Sequence, residues 1–156
     1  MTVRKVLKYG TPSLREKSKE VHKISKKIQA LIEDLYDTMY ATNGVGLAAP
    51  QVGILKRIVV MDVDDGNQYV LINPEILEMS GSQTGQEGCL SVPNKRGEVT
   101  RANYVKVKAL NENMEEFILE GEELLARCIL HECDHLDGHL YVEKVDGDLF
   151  DVSDEE

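Results

Sequence analysis

An α+β fold is what this sequence predicts, and three observations predict it. Two segments carry apolar residues at helical spacing. Several short runs between them are rich in β-branched residues, and one of them alternates cleanly. No repeat or low-complexity linker divides the 156 residues, a length that suits one domain with one core.

The elements follow in order. Ile24, Ile28, Leu31, Ile32, Leu35 and Met39 recur with a helical period, which predicts a helix over 25–40. The glycine-containing stretch 44–51 reads, on its own, as a loop that ends that helix. Residues 57–63 (Arg-Ile-Val-Val-Met-Asp-Val) and 69–72 (Tyr-Val-Leu-Ile) are strand-like. Over 104–110 apolar and polar residues alternate, as in a strand with one wet face. Asn111, Glu112 and Asn113 then supply a hairpin turn into a strand at 116–119. A second helix is predicted over 122–136, where Leu124, Cys128, His131 and His135 form one stripe. Glu122 and Glu123 occupy its first turn, where negative charge is favoured, and Gly138 stops it.

Composition bounds the function. The formal net charge of −10 argues against nucleic-acid binding by bulk electrostatics. No run of apolar residues is long enough to span a membrane, and the N-terminus lacks an apolar signal core. Three cysteines, an odd number, point to a reducing compartment, and the expected location is the cytoplasm. Residues 1–145 read as one domain and 146–156 as an acidic C-terminal tail.

The chemistry is concentrated in His-Glu-Cys-Asp-His at 131–135. This is H-E-x-x-H, and on a helix it sets two imidazoles on one face, able to grip a single metal ion. The glutamate between them can reach a water on that metal, the minimal equipment for metal-assisted hydrolysis. A third ligand is needed. A histidine six residues after His135 would serve, but Tyr141 stands there, and His139 comes two residues early. A glutamate on a later helix has no room in the 21 residues that remain. The ligand must come from upstream, where His22 sits in a polar surface turn and Cys89 follows a glycine that permits close backbone approach. Cys89 is the better choice, since a thiolate with two imidazoles suits Zn(II) or Fe(II). Its competing reading is a small buried hydrophobe.

Three segments together, Gly-Val-Gly-Leu-Ala-Ala-Pro-Gln at 44–51, Glu-Gly-Cys-Leu-Ser at 87–91 and the His-Glu-Cys-Asp-His segment, resemble the motifs of the peptide deformylases, in order and at comparable separations. The resemblance runs over 6–140. It implies a peptide-deformylase-like architecture, with small antiparallel or mixed sheets packed around a central metal-binding helix. It implies removal of the formyl group from formyl-methionine at the N-terminus of nascent polypeptides. One Fe(II) would be held by Cys89, His131 and His135, with Zn(II), Ni(II) or Co(II) able to substitute. Glu132 would be the general base and acid. The Gln51 side-chain amide and the Leu90 backbone N–H would steady the oxyanion, and Gly46 would hold the formyl-peptide backbone. Val45, Leu124 and Cys128 map to the pocket for the methionine side chain, with core packing as the alternative for each. Arg96 could contact the substrate peptide's backbone or carboxylate, or be a solvated loop residue.

Other nearby residues read more plainly. Cys133 lies off the ligand stripe and reads as packing, while His22 and His139 read as surface residues. Asp134 needs a partner if buried, and Arg101 is the candidate. Residues 141–156 hold seven acids and one lysine. Transient ribosome association fits the resemblance, but phosphate would repel this tail, which argues against docking through it. Two rival classes remain: another H-E-x-x-H metallohydrolase, such as a peptidase, and a non-catalytic metal or thiol protein.

Overall fold

A computed structural model describes residues 3–151 of the chain. Helix α1 is Lys26–Ala41, with Ser25 as its cap: the serine Oγ accepts a bond from the Ile28 N–H at 3.2 Å. Eight strands follow, β1 (Gly46–Ala48), β2 (Ile58–Met61), β3 (Tyr69–Ser80), β4 (Gln83–Cys89), β5 (Val92–Arg101), β6 (Tyr104–Leu110), β7 (Glu116–Glu122) and, near the C-terminus, β8 (Phe150–Asp151). Helix α2, Glu123–Leu136, lies between β7 and β8. A five-stranded antiparallel sheet runs in the order β1-β2-β3-β6-β7, and a three-stranded sheet in the order β4-β5-β8.

Strand β2 explains how the two helices are placed. All four of its residues are buried, because each face of the sheet is covered. Ile58 and Val60 pack with Leu31, Leu35 and Met39 of α1. Val59 and Met61 point the other way, toward Ala126, Ile129 and Leu136 of α2. Strand β6 continues this second face: Val105, Val107 and Ala109 are buried against α2, while Lys106 and Lys108 alternate outward. The β4–β5 hairpin carries polar side chains onto another side of α2, so that helix lies between the two sheets.

The expected strands at 104–110 and both helices appear at nearly the expected positions. The turn forms as read, with Asn111 Oδ1 accepting from the N–H groups of Asn113 and Glu115. Other elements differ from expectation. The stretch 44–51 is not simply a loop; it contains β1 and a 3-10 turn, Ala49–Val52. Strand β3 extends far beyond residue 72, because backbone pairing with β6 carries it through a mostly exposed half that mixes Ile76, Leu77 and Met79 with polar residues and follows no clean alternation. Strands β4 and β5 were not anticipated. Their core-side positions hold glycine, glutamate and arginine as well as valine, which hides the alternation.

Residues after Val145 run along β5. Asp146 N–H donates to the Glu98 carbonyl at 2.6 Å, Thr100 Oγ1 donates to Asp146, and Lys95 pairs with Asp151. Val145 and Leu149 pack over Gly97, where a Cβ would meet Val145 at 2.7 Å. Val152 and the acids beyond it, also assigned to the tail in sequence, lie outside the described residues.

Gly138 closes α2. Its φ is +82°, and a Cβ there would stand 2.4 Å from the Arg15 carbonyl oxygen. Backbone cannot yield as a side-chain tip can, and the conformation itself disfavours any Cβ. Gly138→Ala should therefore lower stability by more than the ~1 kcal/mol expected of left-handed strain alone. Urea unfolding checks this, and an unchanged midpoint would refute the steric reading.

Candidate metal centre and active site

Helical spacing gives α2 two working stripes. Arg127, His131 and His135 face the β4–β5 hairpin, while Leu124, Cys128 and Glu132 face β1. On β4, Glu87 and Cys89 flank an irregularity in the pairing with β5, and both reach histidines of α2. The hairpin and the helix thus oppose two acidic or soft groups to two imidazoles.

Cys89, His131 and His135 come together: one ligand atom from each lies within 4.8 Å of the others. Cys89 Sγ is 3.4 Å from His135 Nε2. The other ring nitrogen of His131, Nδ1, is 2.9 Å from Glu87 Oε1. A carboxylate there holds the Nδ1–H tautomer and frees Nε2 to ligate. Burial pushes the Cys89 thiol up, but His135 and His131 outweigh it and bring the thiol well below its ordinary value. A half-buried thiolate with two buried imidazoles fits a borderline-soft divalent metal, Zn(II) or Fe(II).

Glu132 sits beside this cluster and is 4% exposed. Among the described residues its Oε1 has no hydrogen-bond partner, an unusual state for a buried carboxylate oxygen. Burial raises its pKa, with the two imidazoles opposing. A carboxyl placed beside the ligand cluster in this way can accept a proton and pass it on. Gly46 presses close: a Cβ there would lie 2.5 Å from Glu132 Oε2 and 3.0 Å from Cys128 Sγ. The absence of a side chain at 46 is what gives Glu132 its room.

Gln51 is oriented without ambiguity. Its Oε1 accepts from the Ala48 N–H at 2.9 Å, so Nε2 must point the other way, 3.1 Å from Ser91 Oγ and 3.5 Å from Cys89 Sγ. Leu90 belongs to the two-residue connection between the paired Cys89 and Val92. A cavity of about 740 Å³ reaches all these groups; Gln51, Cys89, Leu90, His131 and Glu132 line its floor. Gly46 and Cys128 line it too, and Val45 and Leu124, exposed by about half, stand at its mouth. Arg96 also lines it, but from strand β5 and not from a loop; its guanidinium lies over Gly88. Every site residue named from sequence therefore borders one cavity or the ligand cluster at its base.

Sequence reasoning missed part of the surroundings. Glu87 was read only as part of a motif, yet it accepts from Arg101 Nε at 2.6 Å, Arg101 Nη2 at 2.9 Å and Arg127 Nη1 at 2.5 Å. Tyr141 was noted only for not being histidine; it is buried and stacks on His131 with ring centroids 6.0 Å apart. The expected partner of Asp134 is present, with Arg101 Nη1 donating at 3.0 Å. His22 and His139 are exposed and Cys133 is buried, as read.

Known proteins similar to this chain agree in kind. Residues 3–149 match the family model described as polypeptide deformylase. A peptide deformylase of Agathobacter rectalis is 61% identical over 156 residues, covering 100% of this chain and 98% of that protein. Peptide deformylase 1 of Clostridium acetobutylicum is 58% identical over 145 residues, 93% of this chain and 96% of its own length. The crystal structure of a peptide deformylase from Legionella pneumophila superposes with a TM-score of 0.90 at 44% identity, covering 93% of this chain and 87% of that one.

Against burial, His131 and Arg101 hold the Glu87 carboxyl down at about 2, from an ordinary 4.5. A carboxylate depressed in the folded state stabilises above its unfolded pKa, and that stability drains away as pH falls from 4.5 toward 2. Metal-free wild type should thus be more stable than Glu87→Gln at pH 6, with the gap narrowing by pH 3. Urea midpoints of both proteins at the two pH values test this; a constant gap would contradict it.

Proposed function

The chain belongs to the polypeptide deformylase family, and from that premise we propose how its own residues carry the reaction. The enzyme removes the N-formyl group from nascent peptides, a hydrolysis of an amide bond. The substrate is formyl-methionine at the N-terminus. Cys89, His131 and His135 hold one metal ion, Fe(II) in the native enzyme, with Zn(II), Ni(II) or Co(II) able to replace it. When bound, that ion would act as a Lewis acid and bring the pKa of a coordinated water toward neutrality.

The remaining work falls to the chain. Glu132 accepts the proton of the attacking water and passes one to the departing amine nitrogen. Negative charge that develops on the formyl oxygen meets the Gln51 Nε2–H and the Leu90 N–H, and one good donor of this kind supplies roughly 3–4 kcal/mol. The Ala48 N–H keeps the Gln51 amide aimed correctly before substrate arrives. Gly46 leaves its backbone open to the peptide. Val45, Leu124 and Cys128 offer an apolar wall to the methionine thioether, and Arg96 meets the peptide further along. The observation that carries this reading is Glu132 Oε1, buried and unpartnered beside a thiolate and two imidazoles.

Its partners in this reading are nascent formyl-methionyl chains in the cytoplasm, met with at most transient ribosome association and not through the acidic tail. No direct nucleic-acid binding and no membrane attachment enter into it; among the described residues no helix is long and apolar enough to cross a membrane. Kinetics on formyl-Met-Ala against Met-Ala-Ala, with metal analysis of protein purified without oxygen, test substrate and metal together. Turnover of only the unformylated peptide would favour a peptidase instead.

Glu132→Gln should keep stoichiometric metal yet lose roughly 10²–10⁴-fold or more in turnover, the range for a positioned acid–base group. Near-normal activity in that variant would remove Glu132 from its role. Cys89→Ser should lose metal on dialysis, because a hydroxyl is a poorer anionic ligand than a thiolate. Full metal retention by atomic absorption would exclude Cys89 from the ligand set.

A further inference from the structure

Arg127 stands one helical turn before His131 on the same stripe of α2, and nothing in the reaction uses it. It is 7% exposed. Its guanidinium does two things at once. Nη1 donates to Glu87 Oε2 at 2.5 Å, and Glu87 Oε1 in turn faces His131 Nδ1 at 2.9 Å. The same guanidinium reaches main-chain carbonyls on both strands of the hairpin. Nη1 is 3.1 Å from the Val99 oxygen on β5 and 3.5 Å from the Gly85 oxygen on β4, and Nη2 is 3.4 Å from the Gln83 oxygen. Space at Gly85 is matched to it: a Cβ there would lie 3.3 Å from Arg127 Nη2.

The consequence follows from which element carries which ligand. His131 and His135 ride on α2, and Cys89 rides on β4. Arg127 belongs to the first element and grips the second by its backbone, so it sets how far the hairpin stands from the helix. Through Glu87 it also fixes the carboxylate that orients His131. Arg101 shares the second task and also bridges hairpin to helix through Asp134, but by a single side-chain pair and without a hold on the carbonyls of both strands. We propose that Arg127 is a positioning residue that registers the β4–β5 hairpin against α2, and so sets the spacing of Cys89 from the two histidines and with it metal affinity and thiolate coordination. This rests on the metal-ligand reading above.

The fork geometry of arginine matters here. Lysine could reach one acceptor as a point charge, but it cannot span a carboxylate and carbonyls on two strands. Arg127→Lys should therefore fall between wild type and Arg127→Met. In both variants Glu87 keeps Arg101 and His131, so no buried charge is left bare.

The test uses Co(II)-loaded protein, read by the sulfur-to-cobalt charge-transfer band and by competition with a chelator. Wild type should show the band. Arg127→Met should bind Co(II) roughly 10–100-fold more weakly, the range for outer groups that orient metal ligands, with a weakened or shifted band. Arg127→Lys should recover part of both. Arg57→Met, which cuts the Arg57–Asp137 pair at the far end of α2, serves as the control. It should leave affinity and band unchanged even where the melting temperature drops. Unchanged affinity and spectrum in both Arg127 variants, or equal losses in Arg57→Met, would overturn the proposal. Absence of the band in wild type would instead overturn the metal-ligand reading itself.

Discussion

Glu87 accepts bonds from Arg101, Arg127 and His131 while only 5% exposed. Burying one carboxylate in this way is costly unless every lone pair is met, and here each is. The carboxylate sits on β4, Arg101 on β5, and Arg127 and His131 on α2. One charged group therefore ties the smaller sheet to the helix that the larger sheet supports from behind. Asp134 extends the network through Arg101, and Lys144 reaches it from beyond the helix. The metal ligands are divided between the two sides of this joint, so the geometry of the site is a property of the joint before it is a property of any single ligand.

The apolar framework serves that joint. Strand β2, covered on both faces, separates a cluster around α1 from a cluster around α2. Packing against Val59, Met61 and Leu71 holds α2 as a rigid body. Glu132 can then be placed by exclusion. It is hemmed by Gly46 and has no hydrogen-bonding neighbour at Oε1 to draw it aside. An acid kept unpartnered in this way stores an unfavourable desolvation that a bound water or substrate would relieve.

Local pattern and long-range pairing were not equally legible in the sequence. Helix α1 and strand β6 could be read because their burial follows a single period, 3.6 in one and 2 in the other. The helix carrying His131 could be read for the same reason. Strand β3 past Asn73 could not, since Ile76, Leu77 and Met79 fall at no single period among polar neighbours and the segment is strand because β6 lies beside it. The hairpin was missed because its inward positions carry Glu87 and Arg101, charges that look like surface until their mutual bonds are seen. The same omission concealed Arg127. Its position four residues before His131 was visible, but the carbonyls it holds belong to strands that had not been assigned. The ligands themselves were accessible, because thiolate and imidazole spacing is a chemical constraint and needs no knowledge of the sheet.

Among the described residues the five-stranded sheet ends on β7, which pairs with β6 alone. That leaves one row of backbone donors and acceptors facing outward, a template onto which another strand could be added. Along this edge the chain places Glu116, Glu120 and Glu122, all exposed. Two copies approaching edge to edge would bring those carboxylates against their own kind before any ladder bond closed. In a protein already carrying a net charge of −10, the border of its largest sheet is thus electrostatically guarded, and the sheet stops growing at five strands.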